Sequence, residues 1–380
     1  MIMRIPLSMP DVSESDIEAV TRVLKTPRLS LGSELTNFEQ SIARFVGSSH
    51  CVAVNSGTSG LHLCFRSLRI STGDEVIVPS FTFIATANAV RYVGATPVFV
   101  DIEPEGLGLD PSKIEMAITS RTKAIVVMHT FGRPANLSAI LQVARRHHLF
   151  VIEDACEALG AEYEGKRVGP LGDVGVFAFY PNKQITTGEG GAVVTQSSEI
   201  ACTSRALRNQ GRNGSGDWFD HIELGYNYRL SEINSALGNA QLKRIESVLA
   251  KRQEIARLYC ERLNARTDLE LPSTSVPNCR ISWFVYTVRL GPQFQITHRD
   301  WIRNEMIARG IDCGRYFAPV HLQPVYGYET CIRHDLSVTE ATAGRCLTLP
   351  FFNTISENQI DEVCEVLIEL LHQLRPSRPE

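Results

Sequence analysis

From residue 51 onward the chain repeats one pattern, a short run of β-branched and apolar residues followed by an amphipathic stretch of helical length. The runs fall at residues 51–54, 75–78, 97–100, 124–128 and 150–153. Strands alternating with helices in this way fold as a mainly parallel sheet covered by helices on both faces, an α/β architecture. Ligands of such sheets bind beyond the carboxyl ends of the strands. Residues placed there are therefore the first candidates for function.

The flanking segments read differently. Residues 10–24 and 35–45 carry two helical patterns that form an amino-terminal arm, and residues 231–263 read as one long helix linking two domains. Beyond it, a strand at 283–290 and helices at 300–309 and 357–374 suggest a smaller α+β domain, and 376–380 form a polar tail. At 380 residues the chain exceeds the roughly 250 to 300 over which a single core grows. Two domains are expected, a large one over 1–245 and a small carboxyl-terminal one over 246–380.

A formal net charge of −4 and a pI of about 6.2 give no nucleic-acid footprint and no attraction to an anionic membrane, so small-molecule partners are expected. The first residues lack the basic region and apolar run of a signal peptide, and no stretch has eighteen unbroken apolar residues, so the expectation is a soluble cytoplasmic protein. The ten cysteines include no Cys-x-x-Cys pair and no zinc-type spacing, which makes free thiols and no metal site the reading.

Three stretches carry the chemistry. Val176-Phe177-Ala178-Phe179-Tyr180-Pro181-Asn182-Lys183 reads as a strand delivering a single lysine, followed by Thr186-Thr187-Gly188-Glu189-Gly190-Gly191 and a second strand. Glu189 is its only acidic neighbour in sequence. A lysine among apolar residues loses solvation of its charged form and can condense with a carbonyl such as a cofactor aldehyde; alone, it reads equally as a strand-end side chain in solvent. Asn55-Ser56-Gly57-Thr58-Ser59-Gly60 follows a strand and opens a helix, a place for a small phosphate and also a plain N-cap. Asp154 ends another strand, where a buried carboxylate needs a cationic partner or else caps the next turn.

These stretches, with Glu75-Val76-Ile77-Val78-Pro79-Ser80-Phe81-Thr82-Phe83 and Gly225-Tyr226-Asn227-Tyr228-Arg229, resemble the sugar aminotransferases of the DegT/DnrJ/EryC1/StrS family. The resemblance runs from Ile5-Pro6-Leu7-Ser8 to Leu349-Pro350-Phe351-Phe352-Asn353. It implies a fold-type I transferase with a seven-stranded type of sheet and pyridoxal 5'-phosphate as cofactor. Lys183 would hold the cofactor covalently and shuttle a proton, and Asp154 would pair with the pyridine nitrogen. Gly57, Thr58 and Ser59 would bind the phosphate, Phe83 would stack on the ring, and Asn227 would reach the phosphate of a neighbouring subunit in a homodimer with shared active sites. Glu157 stands where many relatives have glutamine, near the phenolic oxygen, so it must be protonated or bridged. Arg229 and His321 are weaker substrate candidates. Ala178 departs from the serine that many relatives place on the phosphate.

The implied activity is amino transfer from L-glutamate to a keto-sugar nucleotide, with the Thr186-to-Gly191 run more like relatives that aminate C4 of 4-keto-6-deoxy sugars. Amination of a keto-inositol or of a 3-keto-sugar is the alternative within the family. A sugar dehydratase, which usually has histidine in place of the lysine, and a non-catalytic regulator fit less well.

Overall fold

The computed structural model describes residues 4–212, 220–327 and 330–374, so the polar tail at 376–380 lies outside the described residues. All five sequence runs form strands: β1 (His50–Val54), β2 (Glu75–Pro79), β3 (Thr96–Val100), β4 (Thr122–Met128) and β5 (Phe150–Asp154). With β6 (Val174–Ala178), β7 (Gly191–Thr195) and β8 (Ile332–Arg333) they build an eight-stranded sheet in the order β1-β7-β6-β5-β4-β2-β3-β8. Every pairing is parallel except those of β7, which runs antiparallel to both β6 and β1. The eighth strand exceeds the seven expected. Its two residues extend the free edge of β3, and a pair that short leaves no periodic trace.

Alternation along the strands divides the core cleanly. After α1 (Glu14–Leu24), α2 (Ser33–Val46) contributes Phe38 and Ile42 to one cluster with Ala53, Ile77, Ile125, Val127 and Val151, which Leu137 and Ile140 also join. Val52, Val54, Val76, Val78 and Ile152 face the other way, toward α3 (Gly57–Ser67) and α4 (Ile84–Tyr92), which contribute Leu61, Phe65 and Val90. The strands are apolar on both faces because helices cover both.

The long helix expected at 231–263 is two helices, α5 (Glu232–Lys243) and α6 (Ile245–Leu263), broken at Arg244 with φ −109° and ψ 13°. The break coincides with a tie to the amino-terminal arm: Arg244 lies 3.0 Å from the carboxylates of both Asp11 and Asp16, and Gln241 Nε2 donates to Asp16 at 2.7 Å. The expected division at 245/246 falls at the start of α6. Beyond it, Leu269–Glu270, Tyr286–Leu290 and Cys346–Leu349 form a three-stranded antiparallel sheet whose core gathers Tyr259, Tyr286, Leu347 and Leu367. Ile5 joins that same core and bridges to Ile311, while β8 returns to the large sheet, so the amino-terminal segment and residues 332–333 each cross between the two cores. Among the described residues no helix is long and apolar enough to cross a membrane.

Candidate active site

A cavity of about 680 Å³ opens at the carboxyl ends of β5 and β6, beside the start of α3. Thr58, Phe83, Asp154, Glu157, Lys183 and Tyr316 are among its walls. Lys183 reaches it from a turn rather than from the strand, because β6 stops at Ala178. Pro181 sits at the second position of that turn, which Lys183 N–H closes onto the Tyr180 carbonyl at 2.9 Å. The carboxylate brought to the amine is not Glu189, its neighbour in sequence, but Glu157, at 3.8 Å from Nζ. The amine also lies 3.8 Å from the centroid of the Phe284 ring, a favourable place for a cation.

Glu157 is 2 % exposed, and its Oε2 accepts the Phe131 N–H at 3.0 Å. Burial pushes its carboxyl up to about 7, against the opposing pull of Lys183 and of the Phe131 N–H. Protonation and bridging, the two ways to keep a carboxyl in that place, therefore both have a physical basis. The Tyr316 hydroxyl is pushed up as well, by burial first and Glu157 second.

Asp154 closes β5 and is 3 % exposed. Its Oδ2 accepts the Thr86 hydroxyl at 2.6 Å and Oδ1 accepts the Cys156 N–H at 3.2 Å. No ion pair reaches it among the described residues, so the cationic partner a buried carboxylate calls for is not another side chain. At the start of α3 the Ser56 hydroxyl caps the helix by accepting the Ser59 N–H at 3.0 Å. Ser59, offered as a phosphate donor, thus has its amide engaged by the cap, whereas Gly57 and Thr58 border the cavity. Gly57 is required for that approach: a Cβ there would lie 2.8 Å from Ala178 Cβ and 3.1 Å from Cys156 Sγ.

Phe83 caps α4 and is 58 % exposed on the cavity wall. Asn227 and Arg229 do not line the cavity of their own chain; Asn227 is exposed, and Arg229 Nη1 donates to Asn209 at 3.0 Å. His321 does not reach the cavity either. It is buried, with Nδ1 at 2.6 Å from Ser80 Oγ and Nε2 at 3.1 Å from Glu340, and burial lowers its pKa. Both ring nitrogens are spent on protein partners, which makes His321 an anchor for the wall segment carrying Tyr316 and Gln323 rather than a substrate contact.

Sequence reading did not single out Thr86, Phe284, Arg315 or Tyr316, all of which line the cavity. Thr86 follows Phe83 by three residues on the helix that begins there, so helical spacing could have found it. The other three lie in the second half of the chain, outside every motif. The residues present fit pyridoxal phosphate: an amine for an aldehyde, a buried carboxylate without a cation for a protonated ring nitrogen, and a glycine-bordered helix start for a phosphate.

Comparison with known proteins agrees. The chain is 40 % identical over 370 residues to GDP-perosamine synthase of Caulobacter vibrioides, covering 97 % of this chain and 98 % of that protein. It is 39 % identical over 353 residues to dTDP-3-amino-3,4,6-trideoxy-alpha-D-glucose transaminase of Streptomyces venezuelae, covering 92 % and 90 % of the two. The solved structure of the putative sugar aminotransferase Spr1654 from Streptococcus pneumoniae, in its PLP form, superposes with a TM-score of 0.92 at 26 % identity over 98 % of this chain and 100 % of that one. A sequence profile of the DegT/DnrJ/EryC1/StrS aminotransferase family matches residues 10–368, and the chain belongs to that family.

Proposed function

We propose that this protein is a pyridoxal phosphate-dependent aminotransferase that moves an amino group from L-glutamate to a keto-sugar carried on a nucleoside diphosphate. One observation carries the reading: a single cavity gathers the Lys183 amine, the Asp154 carboxylate and the start of α3. When bound, the cofactor supplies an aldehyde and an electron-accepting ring. Lys183 Nζ would hold that aldehyde and, once displaced, take a proton from the substrate carbon and return it. Asp154 would hold a proton at the ring nitrogen, with Thr86 fixing the orientation of its carboxylate. The amides of Gly57 and Thr58 would bind the phosphate, and Phe83 would cover a face of the ring. Glu157, 3.8 Å from Nζ, is placed to lend or accept a proton as the amine changes state.

The sugar is proposed to be a 4-keto-6-deoxyhexose, on the likeness of the Thr186-to-Gly191 run. The relative named for a 3-amino sugar keeps C3 amination as the second reading. Two copies are proposed to form a homodimer in the cytoplasm, with the partner subunit's Asn227 completing the phosphate site. The exposure of Asn227 and the missing hydroxyl at Ala178 support that arrangement. Borohydride reduction of the holoprotein tests the core of the proposal: the cofactor should be fixed to Lys183, and label on another lysine overturns it. A panel of keto-sugar nucleotides assayed with glutamate, read by mass, then identifies the acceptor.

A further inference from the structure

Three backbone carbonyls converge on one buried guanidinium behind the cavity wall. Arg252, two turns into α6, is 3 % exposed and is not itself part of the wall. Its Nη1 donates to the carbonyls of Trp283 at 3.2 Å and Phe284 at 3.1 Å, and its Nη2 donates to the carbonyl of Lys183 at 3.3 Å. None of these acceptors is a carboxylate, and the buried Nε has no hydrogen-bond partner among the described residues. Burial draws its pKa down only to about 10, which leaves it charged at neutral pH.

A charge met by carbonyl dipoles and by the Phe351 ring, 5.4 Å from its guanidinium carbon, but by no carboxylate, is costly to bury, so stability alone does not account for it. The geometry suggests another use. The Lys183 amine lies 3.8 Å from the centroid of the Phe284 ring and 3.8 Å from Glu157 Oε1, so its place depends on the Lys183 turn and the Phe284 segment staying together. The guanidinium holds the backbone of both. Gln184 adds a second tie in the same region, with Nε2 donating to the carbonyls of Glu157 at 2.7 Å and Ser282 at 3.0 Å. Without the cation, the carbonyls of Lys183, Trp283 and Phe284 would lose the donors that draw them to one point.

We infer that Arg252 is a positioning residue for the transfer reaction, clamping the Lys183 turn to Phe284 so that the amine is held between the Phe284 ring and the Glu157 carboxylate. This inference rests on the proposed role of Lys183, but its first test does not. In the cofactor-free protein, acylation of Lys183 by acetic anhydride, followed by peptide mass, reports how well the amine is confined; its side chain is 13 % exposed. Arg252→Met should raise that rate by about fivefold while other lysines are unchanged, the scale of losing a net hydrogen bond or two. Arg252→Lys should return it most of the way. In the holoenzyme, Arg252→Met should lower kcat by about 10- to 100-fold with little change in KM for the keto-sugar nucleotide, because a misplaced reacting group affects the step and not the encounter. Phe284→Leu keeps the carbonyl contact and removes the ring, so it should raise Lys183 acylation even if Arg252→Met does not fold. An unchanged acylation rate in either folded variant, whatever its melting temperature, overturns the inference. Borohydride label on a lysine other than 183 would instead overturn the functional reading and leave the clamp result standing.

Discussion

Glu157 shows how far burial, with a small push from the Asp154 charge, can move a side chain's chemistry. Its carboxyl stands at about 7 in the folded chain against an ordinary 4.5, so between those values the folded protein holds a proton that the unfolded chain has released. Stability that this group leaves intact below about 4.5 is therefore lost as pH rises toward 7. Glu157→Gln, which keeps the shape and cannot ionise, should flatten that slope, and melting curves of the cofactor-free protein at pH 5 and pH 8 measure it. Equal slopes in the two proteins would count against the buried-acid account. Asp154 is the complementary case, a carboxylate served by a hydroxyl and an amide. On the proposed function, Asp154→Asn should cut the half-reaction with the amino donor by about 100-fold or more, since a neutral amide would not hold the ring nitrogen's proton. Thr86→Val, removing one hydrogen bond to that carboxylate, should cost about tenfold in the same stopped-flow assay, and a rate equal to wild type would reduce Thr86 to a packing role.

Among the elements, the start of α3 against the end of β6 sets the shape of one end of the cavity, the end proposed to take the cofactor's phosphate. Gly57 lets the helix approach so closely that a Cβ added there would lie 2.8 Å from the Ala178 Cβ. The Ala178 Cβ is fixed to its strand and cannot turn aside, so Gly57→Ala must push helix and strand apart, at a cost of about 1 to 3 kcal/mol. It should also weaken cofactor binding, because the Gly57 and Thr58 amides move with the helix. Adding Ala178→Gly should recover much of both losses, and a thermal-melt double-mutant cycle with a cofactor titration measures the coupling. Additive losses would mean that the two residues do not meet as described. The break between α5 and α6 belongs to the same scale: side-chain ties from Arg244 and Gln241 to Asp11 and Asp16 accompany it where the hydrophobic pattern alone runs on.

On the scale of the whole molecule, the exposed Asn227 stands away from the cavity of its own chain. If the partner subunit's Asn227 completes each phosphate site, Lys183→Ala and Asn227→Ala chains, each poorly active alone, should regain activity on co-assembly. One of the two sites in the mixed dimer then has both intact residues. Activity assays on doubly tagged, purified heterodimers check this, and no recovery there, or full activity in a monomer, removes Asn227 from the site.

The alternating strands, the single lysine beyond an apolar strand, the Asp154 strand end and the capped helix start were legible in the chain because each is written in local chemistry, although the turn that carries the lysine was read as strand. The rule that parallel strands present their carboxyl ends to a common crevice then brings Lys183, Asp154 and Gly57 together without knowledge of any contact. Tertiary structure decided the rest. It turned the Ser59 amide into the cap, buried His321 against Ser80, 241 residues away, and gave Lys183 Glu157 as its carboxylate neighbour in place of Glu189. It also set Arg252 behind the lysine turn, 69 residues distant. Such contacts depend on how separate elements dock, and a helical or strand period records only which face of an element is apolar, not which side chain waits on the other side.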